Sequence, residues 1–338
     1  MTSLHTPIPP TVAAALSRRR WLASGALGLA MVLGAGQAGA QALSNKPLRV
    51  LVGYSAGGAV DAMARLLAQG LATELNQQVV VENRAGASGL IAADLVSRSP
   101  ADGHTLLLGE SGLLIASLLQ PGQRLDPLKA FAPVAGLFTT PLMIVANNDF
   151  PARNPKELVA ALKAKPGFYS YATSGLGTVH HLGFEMLKGQ TGAFVVHIPY
   201  RGAAQIVPDV MSGQVPLGVV SATAGIAQSK AGRLRALAMM SPVKLAGAED
   251  VPPLSDALPG FNVAPRLVLL APTGTPAAIV ESLNTAVRNV LAKPETIRAA
   301  NAQGAVPAYL SSAELAPDLA RESAVWADLI KTQKIAIQ

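Results

Sequence analysis

The chain has 338 residues, of which half are apolar and only 14% are charged, and it has a formal net charge of +7 and no cysteine. This composition excludes a disordered tail and a coiled coil, and the lack of cysteine excludes disulfides, zinc–thiolate sites and cysteine nucleophiles. No apolar run reaches the roughly 18–20 residues of a membrane span, and no basic stripe with interleaved aromatic residues predicts nucleic acid as a partner.

The first 40 residues have the pattern of an export signal. Arginines at positions 18–20 precede a modest apolar stretch over residues 22–33, and Ala38-Gly39-Ala40 matches the small-residue cleavage pattern. The paired arginines are compatible with twin-arginine export, and an uncleaved anchor is the alternative. Cleavage after residue 40 removes three cations and lowers the formal charge from +7 to +4. We therefore expect residues 1–40 to be a signal peptide and the mature protein to be periplasmic.

Strand and helix patterns alternate from residue 48 onward. Residues 48–54 and 78–83 are short runs rich in Val and Leu, typical of buried strands, whereas residues 59–77 repeat Leu and Met at helical spacing. Residues 88–99 predict a second helix and residues 104–109 a third strand. This β-α-β-α-β order predicts a parallel sheet with helices on both faces.

The rest of the chain repeats the rhythm. Thr275 is predicted to cap a helix whose first residue is Pro276, and Ser311 and Glu314 form a capping-box pattern before the last helix. The other predicted elements are strands over 141–148, 215–222 and 234–240, a helix over 155–165, and two strand–turn–helix units over 168–189 and 194–213.

The segment Gly-Tyr-Ser-Ala-Gly at residues 53–57 has two interpretations. It matches the nucleophile elbow of serine hydrolases, and it also matches a glycine turn that binds an anion at a helix start. An elbow follows several strands, but only about 14 mature residues precede Ser55, and no histidine has the context of a triad base. A serine hydrolase using Ser55 therefore stays as the alternative.

Cofactor and metal sites are not expected. The chain has neither a G-x-G-x-x-G fingerprint nor a P-loop. The adjacent His180 and His181 lie on a predicted helix, where neighbouring side chains diverge by about 100°, so we interpret them as packing residues. The sequence thus predicts no cofactor and no metal.

Two segments share a composition that favours anion binding. GYSAGGAVD at residues 53–61 and YATSGLGTVH at residues 171–180 each place glycine and hydroxyl residues between a strand and a helix. Glycine lets the backbone approach a ligand closely, and the first N–H groups of a helix are unsatisfied and lie at the positive end of its dipole. Two such turns can hold a carboxylate-bearing ligand, although glycine turns also simply connect strands to helices.

At these stretches the sequence resembles the Bug-type substrate-binding proteins of tripartite tricarboxylate transporters, and the resemblance covers residues 47–332. The matching stretches are VGYSAGGAVDAMARLLA, VVVENRAGASGLIAADLVSRSPADGHTLLLG, SYATSGLGTVHHLGFEM, HIPYRGAAQIVPDVMSGQVPLG, AGRLRALAMMSP and LLAPTGTPAAIVESLN.

The resemblance implies an α/β fold of the type II periplasmic binding protein kind, with two lobes that each contain a mainly parallel sheet flanked by helices, and a cleft between them. Lobe 1 would comprise residues 41–140 and 266–338, and lobe 2 residues 141–265. The implied protein is a monomer and not an enzyme. It captures a small carboxylate in the cleft and delivers it to membrane permease subunits, and a sensor for a signalling partner is a further alternative.

The resemblance also assigns site residues. Asp61 is interpreted as a helix-start residue that bonds to the backbone, and Tyr200 as a residue that lines the cleft or packs. Ser111 and Ser221 follow strands, where such sheets usually contact ligands. The candidate ligand-binding residues are Tyr54, Ser55, Ala56, Gly57, Gly58, Asp61, Ser111, Thr173, Ser174, Gly175, Gly177, Thr178, Tyr200, Ser221 and Arg266.

Four departures from the family pattern bear on the ligand. Ser55-Ala56 replaces the usual Pro-Gly before the double glycine, and Leu176 replaces an asparagine of the facing turn. Val220 replaces a frequent acidic residue, and Arg266 replaces a tryptophan. Fewer polar groups and one added cation predict a ligand with an apolar body and at least one carboxylate.

Overall fold

The structure is a computed structural model that describes residues 46–120, 122, 125–200 and 205–336. The predicted signal peptide lies outside these residues. Among the helices of the described ranges, none is both long enough and apolar enough to cross a membrane.

Eleven strands and eleven α-helices are found in the described ranges. The strands are β1 Leu48–Val52, β2 Val79–Asn83, β3 Thr105–Glu110, β4 Phe131–Thr139, β5 Leu142–Ala146, β6 Ser170–Thr173, β7 Val196–Pro199, β8 Leu217–Ser221, β9 Arg235–Met239, β10 Arg266–Pro272 and β11 Val306–Leu310. The helices are α1 Ala59–Leu75, α2 Leu90–Ser97, α3 Ser111–Leu119, α4 Pro127–Ala130, α5 Pro155–Ala164, α6 Val179–Thr191, α7 Ile206–Met211, α8 Ala222–Lys230, α9 Ala277–Ala292, α10 Pro294–Ala302 and α11 Ser312–Thr332.

Two sheets organise the fold. Sheet A has the order β11-β4-β10-β3-β1-β2 and sheet B the order β7-β6-β8-β5-β9. The chain passes from sheet A to sheet B between Thr139 and Leu142 and returns between Met239 and Arg266. The two connections are adjacent, because the Thr140 backbone N–H donates to the Pro265 carbonyl at 2.9 Å.

The central strands of both sheets are buried on both faces, which explains their continuous apolar sequences. In β1, Val50 belongs to one core cluster and its neighbour Leu51 to the cluster on the opposite face. In β5, Ile144 and Val145 divide in the same way between two further clusters. Successive strand residues point to opposite faces, so one strand contributes to two cores.

Two helices join the cores of the two sheets. Helices α3 and α11 adjoin sheet A along the chain, yet Ile115 and Leu119 of α3 lie in the cluster that contains Ile144 of sheet B. Trp326 and Leu329 of α11 lie in the same cluster. The apolar core is therefore continuous across the region between the sheets.

The predicted elements are largely confirmed, with two differences. Each sheet is mixed rather than mainly parallel, because β10 runs antiparallel to β3 and β4, and β5 runs antiparallel to β8 and β9. The capping box of Ser311 and Glu314 is present as predicted. The second difference is that Thr275 does not cap a helix. Its hydroxyl donates to the Pro272 carbonyl at 2.7 Å, and helix α9 begins after Pro276.

Candidate functional site

The turn between β1 and α1 is held in place by a buried carboxylate. Asp61, only 3% exposed, accepts hydrogen bonds from the Gly57 backbone N–H at 2.9 Å, Asn83 Nδ2 at 2.9 Å and Arg65 Nε at 3.0 Å. Asn83 Nδ2 also donates to the Tyr54 carbonyl at 3.0 Å. These contacts place Asp61 where the sequence predicted it, at a helix start and bonded to the backbone. They lower the pKa of Asp61 to about 2, with the Arg65 hydrogen bond as the largest cause.

The tip of this turn is open to solvent. Ser55, Ala56, Gly57 and Gly58 are all exposed, and Gly57 has a φ of +82°, a conformation that favours glycine. No side chain caps the N-terminus of α1 at Gly58. The Gly57 N–H is held by Asp61, and the Gly58 N–H donates to the Ser55 carbonyl at 3.4 Å. Within the described residues, the amides of Ser55, Ala56 and Ala59 make no hydrogen bond, so these are the amides available to an anion. In the described part of the chain, Ser55 makes no side-chain hydrogen bond to a histidine, so the pair that activates a serine nucleophile is not formed there.

Close packing between the backbones of Gly53 and Gly89 fixes the direction in which the chain leaves β1. A Cβ atom on Gly53 would lie 2.3 Å from the Cα of Gly89. Because the two backbones pass so close to each other, no larger residue fits at position 53 without displacement.

The third strand brings an unpredicted carboxyl group to the turn. Glu110, the last residue of β3, accepts a hydrogen bond from the Tyr54 hydroxyl. Burial, with a smaller contribution from the nearby Glu322, raises the pKa of Glu110 to about 7. Because β1, β2 and β3 are parallel neighbours, their carboxyl ends meet at one edge. That topology is the signal that could have identified both Glu110 and Asn83.

Two predicted residues beside Glu110 are occupied by protein contacts. Ser111 is buried, and its Oγ accepts from the Arg266 backbone N–H at 3.1 Å. The Arg266 guanidinium contacts the carboxylate of Asp318, which also accepts from Arg321 at 2.9 Å. The cation that was expected to face the ligand is thus paired within the protein.

The facing turn between β6 and α6 forms more hydrogen bonds within itself than the sequence predicted. Thr178 caps α6 by accepting from the His181 backbone N–H at 3.3 Å, and its hydroxyl donates to the Gly175 carbonyl at 2.8 Å. The Gly177 backbone N–H donates to His181 Nδ1 at 3.2 Å. The Gly175 backbone N–H donates to Thr173 Oγ1 at 3.4 Å. Two of the amides that were expected to meet a ligand are therefore already bonded.

A polar network that the sequence did not predict lies behind this turn. His181 and His197 stack with ring centroids 4.1 Å apart, and Thr173 Oγ1 lies 2.6 Å from His197 Nε2. Glu185 accepts from the Tyr171 hydroxyl at 2.6 Å. Burial lowers the pKa of His181 to about 4 and that of His197 to about 3, so both rings are neutral at pH 7 and support the turn.

The remaining predicted residues sit at the ends of strands. The Tyr200 backbone N–H donates to the Thr173 carbonyl at 2.9 Å, and its hydroxyl donates to Asp209 at 2.5 Å. Ser221 is exposed and caps α8 by accepting from the Ala224 backbone N–H at 3.4 Å. Ser174 is half-buried. The structure thus gathers Tyr54, Ser111 and Arg266 around Glu110, and Thr173, Thr178 and Tyr200 around Gly175.

Three of the departures from the family pattern lie at different positions. Val220 is fully buried in the core of sheet B, and the Arg266 guanidinium contacts the carboxylate of Asp318. Leu176 is 46% exposed on the facing turn. Of the three, only Leu176 presents an apolar group at the turn itself.

The described residues contain no group of three or more His, Cys, Asp or Glu side chains that could hold a metal ion. A cavity of about 350 Å³ adjoins Arg266 and is bordered by the side chains of α11.

Comparison with known proteins identifies the family. Residues 63–335 match the model of the tripartite tricarboxylate transporter family receptor. The chain belongs to this family. It is similar to the periplasmic binding protein BugD, with 31% identity and a TM-score of 0.70 over 87% of this chain and 100% of BugD. It is also similar to Rpa4515 of R. palustris with adipate, with 30% identity and a TM-score of 0.74 over 87% and 99% of the two chains.

A third similar structure is MatC from Rhodopseudomonas palustris with bound malate, at 28% identity and a TM-score of 0.68 over 84% and 99% of the two chains. These likenesses show a periplasmic binding protein fold of Bug type, as the sequence predicted. Members of the family are periplasmic solute-binding receptors. The protein is a solute-binding protein and not an enzyme, and the hydrolase alternative is discarded.

Proposed function

We propose that this receptor is a monomer that captures a small carboxylate in the periplasm and delivers it to the membrane permease of a tripartite transporter. The observation that carries the proposal is the N-terminus of α1, where no side chain caps Gly58 and, within the described residues, the exposed amides of Ser55, Ala56 and Ala59 have no hydrogen-bond partner. Asp61 holds this turn in place through the Gly57 N–H. A carboxylate there meets several donors and the positive end of the helix dipole.

The ligand would be enclosed between two lobes. Lobe 1, residues 41–140 and 266–338, would carry the exposed turn, and lobe 2, residues 141–265, would carry the facing turn. The related proteins with adipate and malate support a carboxylate ligand. Leu176, exposed on the facing turn, would contact an apolar body in the ligand.

The energetic requirement is modest. Micromolar affinity corresponds to about −8 kcal/mol. Hydrogen bonds to a charged group contribute about 1.5–3 kcal/mol each, so three or four donors meet the requirement, less the cost of ordering the ligand.

The test is calorimetry on the mature chain with linear dicarboxylates of four to six carbons, adipate and malate included, and with their diamides as uncharged controls. We expect at least one dicarboxylate to bind and its diamide to fail. Gly58→Val should abolish that binding, because the valine side chain would block the approach of the carboxylate to the turn. The protein should remain folded, since a Cβ at position 58 would lie 3.5 Å from its nearest neighbour, the Ser55 carbonyl oxygen.

A matched control is Gly122→Val, another glycine with open space around its Cβ, which should bind as the wild type does. If Gly58→Val keeps wild-type affinity, the turn at residues 55–58 does not bind the ligand. If diamides bind as well as the acids, the ligand is not recognised through a carboxylate. Replacing Leu176 with Asn should weaken adipate relative to malate if the side chain contacts an apolar body.

A further inference from the structure

Two phenylalanines stand side by side on the outer edge of sheet B. Strands β6 and β7 are parallel with Ser170 opposite Val196, and the pairing continues backward, since the Gly167 backbone N–H donates to the Phe194 carbonyl at 2.7 Å. This register places Phe168 abreast of Phe194. Phe168 is 70% exposed and Phe194 is 61% exposed, which is unusual for so large an apolar side chain.

The apolar surface extends along the edge strand. Val196, two residues after Phe194 and therefore on the same side of β7, is 41% exposed. Strand β7 forms one of the two edges of sheet B. We call Phe168, Phe194 and Val196 the edge patch.

The edge patch lies away from the facing turn. The edge patch lies at the amino ends of β6 and β7, whereas the facing turn follows Thr173 at the carboxyl end of β6. An occupant of the edge patch would leave the facing turn uncovered.

Two cations lie close to the edge patch along the chain. Lys163 in the last turn of α5 and Lys165 directly after that helix are both exposed, and Lys165 Nζ lies 4.8 Å from the centroid of the Phe168 ring. Lysine side chains beside exposed aromatic rings are suited to bind a surface with an anionic outer layer and an apolar interior, such as a lipid bilayer. The same cations disfavour a second copy of this chain, because a symmetric contact would bring like charges together.

The size of the edge patch also separates the possible occupants. Its three side chains expose roughly 300 Å² in total, given the 150–250 Å² that an aromatic side chain can bury. A stable protein interface needs about 800 Å² from each partner. Insertion of two rings into a lipid headgroup region has no such minimum, and each nearby lysine adds attraction to anionic lipid.

We propose that the edge patch, with Lys163 and Lys165, is a docking surface for an anionic phospholipid membrane. The contact is weak and reversible, and it holds the receptor at a membrane surface with its facing turn free. It does not depend on the identity of the ligand.

The experiment is sedimentation of the mature chain, residues 41–338, with vesicles of phosphatidylethanolamine and phosphatidylglycerol in a 3:1 ratio, and with vesicles of phosphatidylcholine alone. We expect binding to the anionic vesicles that falls at 0.5 M NaCl, and at least tenfold weaker partitioning into phosphatidylcholine. The variant F168S/F194S and the variant K163E/K165E should each lower partitioning into anionic vesicles at least tenfold. The control Leu95→Ser, which removes a 46% exposed leucine from α2, should bind as the wild type does.

Each contrary outcome overturns the proposal. Absence of wild-type binding to anionic vesicles refutes it, and so does equal binding by F168S/F194S. Concentration-dependent dimerisation in sedimentation velocity that F168S/F194S abolishes would assign the edge patch to a second copy instead. Ligand calorimetry on F168S/F194S should be unchanged, so failure of the membrane proposal and failure of the carboxylate proposal are distinguishable.

Discussion

Replacing Asp61 with Asn tests how the turn between β1 and α1 is held in place. The asparagine keeps the size of the side chain but loses its charge, and its amide nitrogen would oppose one of the donors from Gly57, Asn83 or Arg65. Losing one or two charge-assisted hydrogen bonds at a buried site costs about 2–4 kcal/mol. The entropy of unfolding is about 2.1 cal/mol/K per residue, or about 0.6 kcal/mol/K for roughly 280 ordered residues. We therefore expect Tm to fall by about 3–7 °C.

The matched control is Arg65→Ala, which removes only the exposed partner of Asp61. Exposed ion pairs contribute about 0–1 kcal/mol, so this variant should lose no more than about 2 °C. Calorimetric unfolding of both variants at pH 7 gives the comparison, and carboxylate affinity should fall at least tenfold in Asp61→Asn alone. Equal Tm values for wild type and Asp61→Asn, or an Arg65→Ala variant as unstable as Asp61→Asn, would refute the assignment of Asp61 as the anchor of the turn.

The lowered pKa of Asp61 also predicts that the stability of the protein decreases at acid pH. This pKa is lowered from 3.8 to about 2 in the folded protein, so the stabilisation is present above pH 4 and is lost as the pH falls towards 2. The Tm difference between wild type and Asp61→Asn should therefore shrink below pH 4, and a constant difference from pH 6 to pH 2 would contradict this origin.

Three further substitutions are expected to change the stability of the fold, two lowering it and one raising it. Gly53→Ala should destabilise the fold by about 1–3 kcal/mol in chemical denaturation, since its Cβ would lie 2.3 Å from the Gly89 Cα; an unchanged midpoint would contradict the close packing. Burial raises the pKa of Glu110 from 4.5 to about 7, so wild-type stability should fall as the pH rises from about 4.5 to 7. Glu110→Gln should remove that fall and be the more stable protein at pH 8; equal stability of the two proteins at pH 8 would contradict the burial of this carboxyl group. Trp326→Ala should cost about 3–5 kcal/mol, and a loss below 1 kcal/mol would show that α11 does not contribute to the core beside sheet B.

The sequence predicts elements better than it predicts their direction. Strands such as β1 and β3 are short apolar runs with helices between them, so periodicity alone locates them. Strand β4 contains Pro133 and Gly136 and lacks that simple pattern. Its antiparallel pairing with β10 depends on where the chain returns from sheet B, which no local pattern contains. The mainly parallel sheets that the sequence predicts are mixed for this reason.

The candidate site shows the same division. The glycines and hydroxyl residues at 53–58 could be predicted to form a turn because their conformational needs are local. The residues that hold the turn could not be predicted in this way. Asn83 lies 22 positions from Asp61, and Glu110 lies 56 positions from Tyr54, so these pairs meet only once the parallel sheet has formed.

Helix α3 provides a physical link between the candidate site and the region between the sheets. It begins at Ser111, directly after Glu110 and the hydrogen bond from Tyr54, and its later residues Ile115 and Leu119 lie in the core beside sheet B. Because packed cores resist continuous deformation, a displacement at the start of α3 has to be transmitted to that core or opposed by it. The contact between Tyr54 and Glu110 and the packing that joins the two sheets are therefore linked through one helix.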